Sequence, residues 1–334
     1  MWTLVLVVVL ALVFDFINGF HDAANSIATV VSTRVLTPFQ AVLWASSFNF
    51  IAFFVSKYII GEFGIAKTVS ESVFKEFVTL PVILSGLIAS IIWNLFTWKF
   101  GIPSSSSHAL IGGFVGASIY RFGFRSIHIS VVAKIASFII LAPFIGMLMS
   151  FVTTIGILWI FRSKNVKKTN SFFRKLQLLS SGLFSLGHGL NDSQKVLGII
   201  ATAMVVSGEI SSVQFVPDWM SLLCFSAIGF GTMLGGWRIV KTMGVKITKI
   251  TAFEGVCAET AGALTLFLTE ILKIPVSTTH TIIGSIMGTG VIKRLSAVRW
   301  GITISLFWAW MITIPLSALL ACLVLVLIQF FGIK

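Results

Sequence analysis

Long apolar stretches follow one another along the chain, separated by short polar gaps. About 20 apolar residues make one membrane-crossing helix. The pattern predicts helices over 1–31, 36–60, 78–100, 103–121 and 127–161, then over 179–207, 215–237, 250–272, 276–292 and 300–331. The opening stretch, 1–14, has the apolar character of a signal peptide but no basic start. The apolar pattern continues past Asp15 without a small-residue cleavage site, so it reads as the first half of a membrane helix. The pairs 78–100 with 103–121 and 250–272 with 276–292 read as re-entrant hairpins or as two full crossings each.

The order of elements repeats. Ile102-Pro103-Ser104-Ser105-Ser106-Ser107-His108, followed by Gly112 and Gly116, returns as Ile274-Pro275-Val276-Ser277-Thr278-Thr279-His280, followed by Gly284 and Gly288. The offset is 275 − 103 = 172, and Pro143 and Pro315 share it. Upstream, Asp15, Asn18, Asp22 and Asn25 have the spacing of Ser185, His188, Asp192 and Lys195, at an offset of 192 − 22 = 170. Gly19 and Gly189 match as well. Steps of three and four residues put each quartet on one helix face. The chain therefore divides into a membrane repeat over 1–161, a basic linker over 162–178 and a second membrane repeat over 179–334.

Composition agrees with a membrane protein. The 334 residues are 57% hydrophobic and only 10% charged, against about 25% charged in soluble domains. A net charge of +13 raises the question of nucleic acid, but Lys and Arg fall in the gaps between apolar stretches. The positive-inside bias places them there, and no nucleic-acid partner is expected. Arg162, Lys164, Lys167, Lys168, Arg174 and Lys175 make the linker cytoplasmic. Counting crossings from it puts 61–77, with Glu62, Glu71 and Glu76, outside. Its counterpart, 238–249, carries Arg238, Lys241, Lys246 and Lys249 and falls inside, as do Lys293, Arg294 and Arg299. Arg121 and Arg125 run against this scheme, which puts them outside. Matching loops on opposite sides imply inverted repeats, a plan in which the site lies at the midplane between the halves. The expected fold is thus an all-α, multi-pass protein of the cell membrane, in contact with its lipids. It has two inverted repeats, broken helices and Pro-Ser/Thr hairpin tips. Cys224, Cys257 and Cys322 lie in apolar surroundings and read as core.

Asp22 and Asp192 stand out chemically. A carboxylate at membrane depth costs at least about 2.5 kcal/mol, so its presence points to function. Gly19 and Gly189, three residues before, suggest local unwinding that frees carbonyls for a cation. At the tips, Pro103 and Pro275 suit a helix start. Ser105, Ser106, Ser107, Ser277, Thr278 and Thr279 then fill two first turns, where N–H groups and the helix dipole favour an anion. Ordinary N-capping is the simpler role for any one of them. Two tips from oppositely oriented halves would grip a tetrahedral oxyanion from both sides. The Gly112/Gly116 and Gly284/Gly288 pairs read as close helix packing. His108 and His280 read as neighbours of the site, and Trp and Tyr mostly as interface anchors. Glu259, within an apolar run, is a further cation or proton candidate. Glu254 lies nearer a helix end, and Asn49 and Asn94 are weaker candidates.

The stretch from Gly19 to Ser26, its repeat from Gly189 to Lys195 and the two Pro-Ser/Thr-His tips resemble the inorganic phosphate transporter (PiT) family over nearly the whole chain. The resemblance implies phosphate symport with sodium or protons, inverted repeats and a homodimer. Related members are thought to carry sulfate, which keeps the anion open. On this expectation the six tip residues, with Asn25, Asn191 and Gln194, contact phosphate. Asp22, Asp192 and Glu259 hold Na⁺, the coupling ion in place of any cofactor, because two bare carboxylates would repel the anion. Protons are the alternative coupling ion. The copies differ in that the first has His21 where the second has Asn191, and Asn25 where the second has Lys195, which leaves the cation count open. An intramembrane hydrolase using Ser105 or Ser107 with a histidine needs nucleophile and base within hydrogen-bond reach. Adjacent Ser107 and His108 diverge on a helix. A channel is the other rival, separable by its flux and lack of coupling.

Overall fold

A computed structural model describes residues 2–331. Met1 and residues 332–334, the ends of the first and last expected segments, lie outside the described residues. So do the side chains of Val166, Lys167 and Val245, including one charge of the expected linker. The described chain is helical apart from turns, loops and one isolated bridge between Val73 and Ile127. The first half holds α1 (Trp2–Ser32), α2 (Pro38–Val55), α3 (Gly64–Ser70), α4 (Leu80–Phe100), α5 (Ser106–Phe122) and α6 (Ile129–Phe161). The second holds α7 (Val166–Val206), α8 (Asp218–Leu234), α9 (Trp237–Lys241), α10 (Ala252–Ile271), α11 (Thr278–Lys293) and α12 (Trp300–Phe330). Among the described residues, five helices are long and apolar enough to cross a membrane, and the bent pair Asp218–Leu234 with Trp237–Gly244 makes a sixth. The long helices α6 and α12 expose Ile140, Phe144, Leu148, Leu319, Leu323 and Val326, the outer surface that an apolar solvent requires.

Four expectations change. The basic stretch at 162–178 is mostly helix, because α7 begins at Val166. Its sequence lacks Gly and Pro and is amphipathic there: Phe173 and Gln177 are buried, with Phe173 against Ala252 and Val256. The expected helix 215–237 breaks at Gly235, whose φ of +68° favours glycine, and the chain turns by 62° into α9. The short α3 appears inside the expected loop 61–77. Finally, α1 and α7 run unbroken through Gly19 and Gly189, so no unwinding frees carbonyls beside the aspartates. These glycines serve close packing instead. A Cβ on Gly19 would meet Thr232 N at 3.0 Å, and one on Gly189 would meet Asn49 O at 2.8 Å.

Packing is reciprocal between the halves. Gly19 of α1 lies on α8 and Gly189 of α7 on α2. Gly112 of α5 lies on Ile314 and Ser317 of α12, and Gly284 of α11 on Pro143 of α6. Small residues let these backbones approach closely. Contacts also sort the loops into two ends. At one end Arg174 donates to Arg34 O at 2.7 Å, Thr242 to Gly101 O at 3.1 Å, and Arg299 N to Ile247 O at 3.0 Å. At the other, Lys273 pairs with Glu62 at 2.7 Å, Lys57 with Asp218 at 2.6 Å, and Phe74 N donates to Ser126 O at 2.9 Å. Each pair α4–α5 and α10–α11 therefore leaves one end, turns near the other and returns.

Candidate oxyanion and cation site

The two tips are built alike. Ser105 caps α5 by accepting from His108 N at 3.1 Å, and Ser277 caps α11 by accepting from His280 N at 3.2 Å. Both hydroxyls thus do ordinary N-capping work. The helices start at Ser106 and Thr278, so Pro103 and Pro275 lie in the approach to each helix and not in its first turn. His108 and His280 pack ring to ring with centroids 5.0 Å apart. Trp310 stacks on His280 at 4.1 Å and donates Nε1 to Pro103 O at 3.0 Å. Trp310 is therefore a buried clamp joining the two tips, and not an interface anchor.

Side chains from α1 and α7 meet the tips. Asn25 Nδ2 donates to Thr279 Oγ1 at 2.9 Å and to Thr278 Oγ1 at 3.2 Å. Ser106 donates to Asp22 Oδ1 at 3.3 Å, and Thr278 to Asp192 Oδ2 at 3.4 Å. Lys195 Nζ reaches Asp192 Oδ1 at 2.6 Å, Ser107 Oγ at 2.7 Å and Val276 O at 2.5 Å. Ligand atoms of Asp22, His188 and Asp192 all lie within 4.8 Å of one another. A carboxylate from each half thus faces one small space, with an imidazole beside them. His21 Nδ1 lies 2.6 Å from Asp22 Oδ1, and its Nε2 3.0 Å from Thr97 Oγ1. His188 Nε2 lies 3.2 Å from Asp192 Oδ2, and its Nδ1 3.1 Å from Asn49 Oδ1. All of these side chains are buried.

The expected residues do not all converge. Asp22, Asp192, Asn25, Ser106, Ser107, Thr278 and Thr279 come together. Asn191 accepts from Val276 N at 3.4 Å, and its buried Nδ2 has no partner, so it borders the second tip with a free donor. Gln194 points elsewhere, accepting from Ile65 N at 3.2 Å and donating to Glu270 Oε1 at 2.7 Å. Its place in the Asp192 helix turns it toward α3 and α10. Glu259 also stands apart, held by Gln177 Nε2 at 2.9 Å and Ser180 Oγ at 2.5 Å. Glu254 closes the capping box of α10 and pairs with Lys293 at 2.7 Å. Asn94 is buried with neither amide atom bonded. Ser107 is taken by Lys195, and neither nitrogen of His108 has a partner, so the pair makes no nucleophile and base.

His21 and His188 were missed as partners of the aspartates, although both signals were in the sequence. His21 adjoins Asp22, and His188 precedes Asp192 by four residues, which is one helical turn.

Apolar membrane helices that close over two hydroxyl-rich helix starts and a buried cluster of charges define a multi-pass membrane transporter. The model of the phosphate transporter family matches residues 18–321, and the chain belongs to that family. A probable low-affinity inorganic phosphate transporter of Rhizobium meliloti (strain 1021) is 49% identical over 96% of this chain and 95% of its own length. One from Bacillus subtilis (strain 168), with the same description, is 42% identical over the same shares. These relatives are named as transporters and not as enzymes, which sets the hydrolase reading aside. A solved structure titled "The sodium-dependent phosphate transporter" shares the fold, with a TM-score of 0.88, 24% identity, and coverage of 99% of this chain and 100% of that one.

Proposed function

We propose that the chain carries inorganic phosphate across the cell membrane by Na⁺-coupled symport. The carrying observation is that Asp22 and Lys195 hydrogen-bond the first tip while Asn25 and Asp192 hydrogen-bond the second, so both tips are tied to the two acidic helices at one place. Phosphate binds between the starts of α5 and α11, where backbone N–H groups, hydroxyls and the Asn25 and Asn191 amides supply donors. Asp22 and Asp192 would repel it in a low dielectric. A cation held at the carboxylates with His188 removes that repulsion, so the anion binds well only with its coupling ion. Glu259 is a separate cation position on this reading.

Equivalent helices run in opposite directions between the two ends, which supports inverted repeats and alternating access by rocking of one group of helices around the site. The apolar outer faces of α6 and α12 meet lipid, and the chain works as a homodimer. Proton coupling is the second reading, favoured by the imidazole of His21 lying 2.6 Å from Asp22.

Radiolabelled phosphate uptake into proteoliposomes, with Na⁺ and proton gradients imposed separately and sulfate as competitor, tests the proposal. Uptake driven by Na⁺ and unaffected by sulfate is expected. Uptake driven by protons alone supports the second reading, and no phosphate uptake under either gradient refutes both.

A further inference from the structure

The two half-sites carry different charge. At the first, Asn25 presents a neutral amide to the opposite tip. At the equivalent place in the second half, 170 residues on, Lys195 presents an ammonium. An ammonium has three donors, and Lys195 spends them on three acceptors: Asp192 of its own helix, Ser107 of the first tip and Val276 O of the second. The side chain is 3% exposed. A strongly hydrated cation on a long stem leaves water at this cost only where its charge is matched.

We propose that Lys195 is a resident counter-ion, a tethered cation standing where the second half-site would otherwise take a mobile one. The inference rests on the proposed coupled uptake of phosphate and specifies its stoichiometry. Asp22, Asp192 and Lys195 sum to −1 − 1 + 1 = −1, whereas an Asn at 195 would leave −2. The native site therefore needs one mobile cation fewer to become equally receptive to an anion. The same ammonium gives up its bond to Ser107 when a phosphate oxygen arrives, so it both balances Asp192 and contacts the substrate. The space beside Asp22 stays the place for the mobile ion, with His21 and Ser106 already on that carboxylate.

The test counts cations per phosphate in proteoliposomes holding the purified full chain, from paired fluxes of labelled sodium and labelled phosphate. Lys195→Asn copies the chemistry of Asn25 and reopens Asp192, so its ratio should exceed the native one by about one cation. Lys195→Arg keeps the charge and should keep the native ratio even if uptake slows. An active Lys195→Asn chain with the native ratio overturns the proposal. Should Lys195→Asn fail to transport, its melting temperature in detergent decides. NaCl in place of choline chloride should stabilise it more than it stabilises the native chain, because the ion binds only the folded form. An equal response in the two proteins overturns the proposal. If the native chain moves no phosphate, the reading as a phosphate symporter fails, while the melting comparison still judges Lys195.

Discussion

The glycine contacts behind the tips offer a quantitative test of how the site is held. A methyl group added at Gly284 would lie 2.6 Å from Pro143 Cα, with the Pro143 carbonyl oxygen closer still. Ordinary contact starts at 3.4 Å, so α11 and α6 must part by 3.4 − 2.6 = 0.8 Å or more. No flexible side-chain end can yield, because the obstruction is the backbone of a 33-residue helix at its internal proline. Overpacking of this kind costs roughly 1–3 kcal/mol. The equivalent methyl at Gly112 meets Ile314 O at 2.7 Å and Ile314 Cα at 3.0 Å, shortfalls of 0.7 and 0.4 Å, and its closest neighbour is the Ser317 hydroxyl, which can rotate. Gly284→Ala should therefore be the more damaging change. It also moves Thr278 and Thr279, six and five residues upstream, relative to Asn25. The bonds there are 3.2 and 2.9 Å, and a shift of 0.8 Å away from Asn25 takes both beyond useful length. Melting of the purified protein and initial phosphate uptake should both rank native, then Gly112→Ala, then Gly284→Ala. Uptake by Gly284→Ala should fall about tenfold for each 1.4 kcal/mol carried into binding. A Gly284→Ala protein equal to the native one in both assays, or a more damaged Gly112→Ala protein, would refute the reasoning.

Other outcomes follow from single contacts. Asn25→Ala removes both bonds to the second tip and should raise the phosphate KM about tenfold or more, at roughly 1 kcal/mol per bond, in the same uptake assay. Gln194→Ala should leave the phosphate KM unchanged while lowering the melting temperature, because it strands Ile65 N and Glu270, and an unpaired buried group costs about 1–3 kcal/mol. Trp310→Phe keeps a ring on His280 but loses the bond to Pro103 O, so it should cost about 1 kcal/mol in melting.

Much of the fold was legible because membrane helices announce themselves by apolar length and the motifs recur at fixed offsets. The aspartates and the tip residues were legible for the same reason, since buried charge at two matching places demands an explanation. What was hidden depends on direction around a helix axis. Gln194 shares the Asp192 helix, yet its side chain leaves toward Glu270, and no spacing rule separated it from Lys195. Glu259 finds Gln177, a residue assigned to a loop because a basic segment masked the inward face of Phe173 and Gln177. The role of Gly19 and Gly189 was misread because glycine permits both unwinding and close approach, and only the partner helix decides between them. Trp310 looked like an interface residue until its neighbours, His280 and Pro103, were seen.

The central claim is that a carboxylate-bound cation makes the site fit for phosphate, and Asp22→Asn tests it most directly. Phosphate uptake by this variant in proteoliposomes, measured against Na⁺ concentration, should no longer rise with Na⁺ as the native uptake does, because a neutral side chain at position 22 leaves no charge there for the cation to offset. Uptake at the native rate with an unchanged Na⁺ dependence would contradict the account.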